Sequence, residues 1–119
     1  MRKYCSKVIV ENFFEPCLLF LLSEKPSYGY ELFNNLKKRC DCTVNIGNLY
    51  RCLARLQKEG YVIKKKSESA IGPERAVYEI TDTGKDHLGE WIDELEIQMK
   101  TVRKLITNYK KLYETHKKQ

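Results

Sequence analysis

The sequence lacks any long apolar run. Its most apolar stretch, residues 16–22, has only seven residues, between Glu15 and the pair Ser23-Glu24. A helix that spans a bilayer needs about 20 apolar residues, so the sequence predicts no membrane span, and no secretory signal is visible. The 119 residues, 42% of them apolar, are instead enough for one folded domain with a modest core.

Cysteine and histidine do not occur in any arrangement typical of a disulfide framework or a catalytic centre. The five cysteines are an odd number without framework spacing, so we expect reduced thiols in a cytoplasmic protein. A Gly-rich phosphate loop is absent, and the sequence offers no set of nucleophile, base and orienting group. We therefore expect a protein that is not an enzyme and needs no cofactor.

The charge has an uneven distribution along the chain. The 22 Lys and Arg exceed the 16 Asp and Glu, which gives a net charge of +6. Residues 1–81 carry +5, residues 82–99 carry −5 and residues 100–119 carry +6. A basic surplus favours a polyanionic partner, and nucleic acid is the commonest one. The first block is therefore the candidate nucleic-acid surface.

Apolar spacing and cap residues predict helix, helix, turn, helix, hairpin and a last long helix. Ser27, Asn45 and Thr81 are the expected N-caps, and Gly60 is the expected C-terminal stop of the third helix. Phe20 and Tyr30 are expected on the buried faces of the first and second helices. The predicted elements are helices over residues 9–23, 27–39 and 45–59, strands over 61–66 and 75–81, and a helix from residue 82.

This order indicates a mainly α fold with a small β-hairpin, the winged helix-turn-helix. We expect a DNA-binding domain over residues 1–81 and a C-terminal dimerisation helix over residues 82–119. An internal repeat or a low-complexity tract is absent from the sequence.

The third predicted helix has the two faces that a DNA-reading helix requires. Leu49, Leu53 and Leu56 supply an apolar stripe, so the polar residues between them point outward. Arg bonds guanine and Asn bonds adenine in the major groove, usually near the helix N-terminus. A solvated amphipathic helix would show the same pattern. The candidate DNA contacts here are Asn45, Asn48, Tyr50, Arg51, Arg55 and Lys58.

The hairpin adds a second basic group, Lys64, Lys65, Lys66 and Arg75. Wings commonly contact phosphates or a minor groove, where cations gain from counterion release. Lysines on an edge strand also discourage aggregation, which is the alternative explanation. We expect these four residues to contact DNA.

The last helix carries an unbroken apolar repeat with alternating steps of four and three residues. Such a repeat is typical of a coiled-coil seam, and over some 30 residues it would extend about 45 Å. A helix folded back on its own domain would bury only the first turns, so we expect a homodimer that reads a palindromic site. The predicted seam consists of Leu88, Ile92, Leu95, Met99, Val102, Ile106, Tyr109 and Tyr113.

These segments together resemble the PadR family of bacterial transcriptional regulators. The resemblance covers about residues 16–88. The matching pieces are Leu-Leu-Phe-Leu-Leu-Ser-Glu-Lys-Pro at 18–26, Tyr-Gly-Tyr-Glu-Leu at 28–32, Gly-Asn-Leu-Tyr at 47–50, Leu-Ala-Arg-Leu-Gln-Lys-Glu-Gly-Tyr-Val at 53–62, Gly-Pro-Glu-Arg at 72–75 and Tyr-Glu-Ile-Thr-Asp-Thr-Gly at 78–84.

The resemblance implies a dimeric repressor that a small ligand or another signal releases from its operator. The family's DNA-contact pattern falls on Asn48, Tyr50, Arg55 and Arg75. Arg51 stands where the family often has proline, so this chain has an additional cation and amide donor on the recognition helix.

Two other functions fit the sequence. One is a winged-helix adapter that binds protein instead of DNA. The other is a regulator that responds to oxidant or a soft metal through Cys40, Cys42 and Cys52. The cysteine spacing does not match structural zinc sites, which usually have two separated Cys pairs.

Overall fold

The structure, a computed structural model, describes residues 13–66 and 76–118, with side chains up to residue 114. It is mainly helical with a small antiparallel sheet, which confirms the predicted fold class. The elements are α1 (Phe14–Glu24), β1 (Ser27–Tyr28), α2 (Gly29–Cys40), α3 (Ile46–Lys58), β2 (Val62–Lys66), β3 (Ala76–Ile80) and α4 (Asp82–Lys118).

The sheet has one strand more than the predicted hairpin. β1 pairs antiparallel with β3, Ser27 opposite Tyr78, so the strand order is β1-β3-β2. The prediction that Ser27 caps the second helix is therefore wrong, because its backbone pairs with a strand far away in sequence. Tyr28 takes the N-cap position, and its backbone N–H donates to Glu31 Oε1 at 3.0 Å.

The core is built mainly from leucines of α1, α2 and α3, completed by Cys42, Cys52, Val62 and Tyr78. Two expected members are instead exposed: Phe20 and Tyr30. At about 100° per residue, Phe20 lies about 160° from Leu18 and Tyr30 about 160° from Leu32, so both project away from the core. The fully buried large side chains are Leu18, Leu19, Leu32, Leu36, Leu49, Leu53, Leu56 and Val62.

Local signals fix both ends of α3, as the sequence predicted. The Asn45 side chain accepts hydrogen bonds from the backbone N–H groups of Gly47 and Asn48. Beyond the helix, Gly60 has a φ of +86°, a conformation that glycine adopts without steric cost. Thr81 is the predicted cap of α4, and its Oγ1 accepts from the Gly84 N–H at 2.9 Å.

The chain divides into two compact units, Met1–Gly89 and Glu90–Gln119. The first unit includes the winged helix-turn-helix and the first two turns of α4. The second contains the remainder of α4. None of the described helices combines the length and the apolar character that spanning a bilayer requires.

Candidate nucleic-acid interface

Helix α3 separates a fully apolar face from a polar one. Leu49, Leu53 and Leu56 are completely buried. The side chains of Asn48, Arg51, Arg55 and Lys58 lie on the opposite side and are exposed. The helix therefore presents amides and cations to solvent while its leucines hold it to the core, the arrangement required of a helix that enters a major groove.

The N-terminal turn of α3 is internally hydrogen bonded. Asn45 Oδ1 accepts from Gly47 N at 2.8 Å and from Asn48 N at 3.3 Å, so Asn45 acts here as the helix cap. Arg51 Nη2 donates to Asn48 Oδ1. Arg51 and Asn48 are thus held together on one exposed turn, and this pairing leaves the Asn48 amide group free to donate.

Tyr50 lies against the start of α2. A Cβ atom added at Gly29 would come within 2.5 Å of the Tyr50 hydroxyl oxygen. Only glycine leaves room for the ring at this point, so the close approach of α2 and α3 depends on Gly29. The sequence offered Tyr50 as a DNA contact but gave no indication that its ring packs on α2.

Arg55 is held by two carboxylates. Its Nη2 donates to Glu15 Oε1 on α1, and its Nη1 donates to Glu59 Oε1 at 2.9 Å. The hydrogen bond to Glu15 raises the pKa of Arg55 further above its usual value. Contact between Arg55 and DNA stays a prediction, because the structure shows the side chain bonded within its own chain.

Glu15 also contacts the beginning of α4. Its Oε2 atom lies 3.1 Å from His87 Nε2, and the His87 ring stacks on Tyr61 with centroids 4.0 Å apart and the planes nearly parallel. Glu15 is 9% exposed. Neither Glu15 nor His87 was predicted as a functional residue, because their contacts join residues that are far apart in the chain.

The three lysines of β2 do not share one face. Side chains alternate along a strand, so Lys64 and Lys66 lie on the face that includes Tyr78, and Lys65 on the other. Lys64 Nζ is 6.0 Å from the Tyr78 ring centroid, and Lys65 Nζ pairs with Glu79 at 3.1 Å. The fourth predicted contact of the wing, Arg75, lies outside the described residues.

The cysteines group differently from the expected set. The thiol of Cys17 on α1 lies beside those of Cys40 and Cys42, and burial together with these neighbours raises its pKa to about 12. Burial likewise raises the pKa of Cys52 to about 11, partly offset by Arg55. Raised pKa values disfavour the reactive thiolate.

The four described thiols, those of Cys17, Cys40, Cys42 and Cys52, also do not form a metal site. Cys52 lies near Arg55, whose Nη2 is 3.7 Å from its sulfur. Among the side chains of residues 13–66 and 76–114, no three His, Cys, Asp or Glu groups are close enough to hold a metal ion. The geometry therefore gives no support to a sensor built from Cys40, Cys42 and Cys52.

The predicted seam of α4 is an apolar stripe that solvent reaches. Leu88, Leu95 and Val102 are half-buried. The rings of Tyr109 and Tyr113 contact each other, with centroids 4.7 Å apart. Five further seam side chains are between 45% and 56% exposed: Ile92, Met99, Ile106, Tyr109 and Tyr113.

Comparison with known proteins agrees with this geometry. A family model described as the transcriptional regulator PadR-like family matches residues 18–90. A PadR-like transcriptional regulator from Bacillus cereus is 34% identical, with a TM-score of 0.72 over 82% of this chain and 95% of that one. A transcriptional regulator from Clostridium thermocellum is 30% identical, with a TM-score of 0.75 over 83% of this chain and 95% of that one.

One similar structure contains nucleic acid. It is Bacillus subtilis PadR in complex with operator DNA, which is 24% identical and superposes with a TM-score of 0.59. The match covers 65% of this chain and 45% of that one. At this identity the similarity concerns the fold.

Proposed function

This chain belongs to the PadR-like family of transcriptional regulators, and from that premise we propose that it is a cytoplasmic, homodimeric repressor. It binds a palindromic operator in double-stranded DNA and leaves it when a small effector binds. Helix α3 and the β2–β3 hairpin contact the DNA, and α4 joins the two copies.

The observation that carries the DNA-binding proposal is the division of α3 into a buried leucine face and an exposed face of amides and cations. Leu49, Leu53 and Leu56 fix the rotation of the helix about its axis, because each is fully buried. Asn48 and Arg51 must then project outward together. A rigid helix that presents such groups fits a groove about 12 Å wide.

Asn48 and Arg51 are the base-reading residues in this proposal. They lie within the first two turns of α3, the end that usually meets base edges. The amide group of Asn48 and the guanidinium of Arg51 are the donors that adenine and guanine edges accept. Their mutual hydrogen bond keeps the two side chains on one turn, so they approach neighbouring base pairs together.

Lysines on two elements supply the phosphate contacts. Lys58 lies at the last turn of α3, and Lys64 and Lys66 share one face of β2. Within the described residues these three lysines make no ion pair, so their charges are available to phosphate. Lys65 contributes less, because Glu79 on the opposite strand neutralises it.

The dimer part of the proposal rests on the exposed seam of α4. Large apolar side chains from Ile92 to Tyr113 are about half exposed, and a stripe of this kind on a soluble protein marks an association surface. The alternating four- and three-residue steps are those of two helices packed along their length. A second copy of the same helix offers a matching stripe.

The charges favour antiparallel packing of the two helices. Residues 82–99 carry −5 and residues 100–119 carry +6. Parallel packing would place like charges side by side, whereas antiparallel packing places the acidic part of each helix beside the basic part of the other. The seam is also symmetric about the midpoint between Lys100 and Thr101, since its members are equidistant in pairs: Met99 and Val102, Leu95 and Ile106, Ile92 and Tyr109.

A two-fold dimer presents two copies of α3, and two identical readers recognise the two halves of a palindrome. Repression and release by a small effector enter the proposal through the family. The resemblance in the motifs over residues 16–88 implies a regulator of that kind.

Selection of bound sites from random duplex DNA tests the function directly. We expect a palindrome whose affinity falls steeply as salt rises, because the lysine contacts release counterions. The matched variants are Arg51→Ala, which removes a reader, and Lys104→Ala, which removes one positive charge from α4. The first should relax the preference at one base pair in each half-site, and the second should not.

A pool without a consensus, together with weak dependence on salt, would contradict the proposal and favour the protein-binding adapter. A thermal-shift screen with phenolic acids and cationic drugs tests the effector. A compound that stabilises the protein should also lower its operator affinity, and one that stabilises it without changing operator affinity is not an effector.

A further inference from the structure

Glu15 is a nearly buried carboxylate on α1 that bonds two other elements. One oxygen accepts from Arg55 on α3, and the other lies 3.1 Å from His87 Nε2 in the second turn of α4. Only 9% of Glu15 is exposed. A carboxylate is seldom buried to this extent unless it is paired and hydrogen bonded, and here each oxygen has its own partner.

The contacts of Arg55 leave it poorly placed to read a base. A bidentate bond to guanine uses two nitrogens of the guanidinium at once. In this structure Nη2 is bonded to Glu15 and Nη1 to Glu59. To present two nitrogens to a base, Arg55 would have to leave both carboxylates, and the nearly buried Glu15 carboxylate would lose its cationic partner on α3, which is unfavourable.

Arg55, Glu15 and His87 together form a bridge between α3, α1 and α4, and its His87 end is also fixed. Its ring lies 4.0 Å from the Tyr61 ring in a stacked arrangement. Tyr61 follows α3 directly, and its backbone N–H donates to Leu56 O while its backbone O accepts from Thr81 N. His87 is thus held from one side by Glu15 and from the other by the segment that joins α3 to the sheet.

We propose that Glu15 is a positioning residue for DNA recognition, and that Arg55 braces α3 instead of reading a base. Through Glu15 the orientation of α3 is tied to α1 and to the first turns of α4. A change at the beginning of α4 would then alter how Asn48 and Arg51 meet the DNA. The role of the bridge in recognition rests on the proposed function.

The experiment compares Glu15→Gln, Arg55→Gln and the double variant on the selected operator. Gln keeps the shape of the Glu15 side chain and removes its charge, whereas at position 55 it replaces the guanidinium with a shorter, neutral amide. Each single variant should weaken operator binding about fivefold to tenfold, and the double variant should be no weaker than either single one, because both remove the same bridge. The base preference at every position should stay that of the unchanged protein.

The matched control is Glu24→Gln. Glu24 also lies on α1 and pairs across to Arg39 on α2 with two hydrogen bonds of 2.5 and 2.9 Å, but both side chains are exposed. The Glu24→Gln variant removes a carboxylate–guanidinium pair that does not involve α3. Operator affinity should therefore change less than twofold. Thermal unfolding of every variant shows that binding is compared between folded proteins.

Two outcomes of the binding experiment would overturn the proposal. Relaxed preference at one base pair in Arg55→Gln, with Glu15→Gln unchanged or tighter, would make Arg55 a reader. Losses that multiply in the double variant would show that the two residues act independently.

A second experiment needs no DNA. It therefore shows whether Glu15 couples α3 to α4 even if the chain selects no operator and the proposed function fails. Hydrogen exchange of the backbone amides is followed in Glu15→Gln and Glu24→Gln. If the bridge couples the helices, amides of α3 and of residues 82–89 should both exchange faster in Glu15→Gln. Neither region should exchange faster in Glu24→Gln. Faster exchange confined to α1 would contradict it.

Discussion

The third helix and the second unit each carry an apolar stripe, but the two stripes differ in how much of them solvent reaches. In α3 the stripe of Leu49, Leu53 and Leu56 is completely buried by its own chain. In α4 the stripe from Ile92 to Tyr113 is about half exposed. The comparison shows that one stripe is needed to fold the unit, whereas the other is available to a partner.

The largest effect, a loss of folding stability, is expected when a leucine of the buried stripe is truncated. Leu53→Ala should lower the free energy of unfolding by about 2–5 kcal/mol, because it removes a fully buried side chain and leaves a cavity. Ile97→Ala, an apolar truncation at an exposed position off the seam, should stay within about 0.5 kcal/mol. Urea unfolding followed by circular dichroism, at one protein concentration, measures both. Equal losses would show that α3 is not the better packed helix.

The second effect concerns the exposed stripe. Ile106→Asp places a charge in the seam, so it should separate the dimer without unfolding the first unit. Operator affinity should then fall about 100-fold or more, since each copy binds its half-site alone. Thr107→Asp adds the same charge at the adjacent exposed position and should leave the dimer intact. Sedimentation equilibrium gives the oligomeric state, and a monomeric wild-type protein would contradict the proposed interface.

The polar face of α3 gives the third effect. Arg51→Ala should cost about 1–3 kcal/mol of operator binding, the range for one bidentate contact to a base. The loss should disappear when the base pair that Arg51 reads is also changed, whereas a phosphate contact would be lost equally on all sequences. Titration of the operator and of variants with single base changes, under one salt condition, distinguishes the two cases.

What the sequence could predict depends on the distance between the residues involved. The cap at Asn45, the leucine stripe of α3 and the stop at Gly60 depend on neighbours within a few positions, and all were predicted. Other features depend on pairings between distant segments. They are strand β1, the approach of Tyr50 to Gly29, the grouping of Cys17 with Cys40 and the Glu15 bridge. The apolar spacing of a single sequence reports local structure and does not show which distant segments pair.

The lysines of β2 are an intermediate case. Three consecutive cations indicated a basic wing, but side chains on a strand alternate between faces, so the sequence already implied that one lysine differs from the other two. The structure adds that Glu79 on β3 lies on the same face of the sheet as Lys65 and pairs with it. Charge counts along a sequence therefore overstate the charge that one face presents.

The smallest effect tests the direction of the two α4 helices. Glu96 and Arg103 flank the seam on the same side, one before and one after its midpoint, so antiparallel packing brings Glu96 of one copy beside Arg103 of the other. Glu96→Arg or Arg103→Glu should each weaken dimerisation about threefold to tenfold, and the double variant should recover most of the loss, because exposed ion pairs contribute about 0.2–1 kcal/mol each. Glu94→Arg is the control for the charge change away from the seam. The two positions are seven residues apart on one helix, too far for an ion pair within it, since such pairs form between residues three or four apart. Recovery in the double variant therefore requires the second copy in antiparallel orientation, and a double variant weaker than both single ones would exclude this packing.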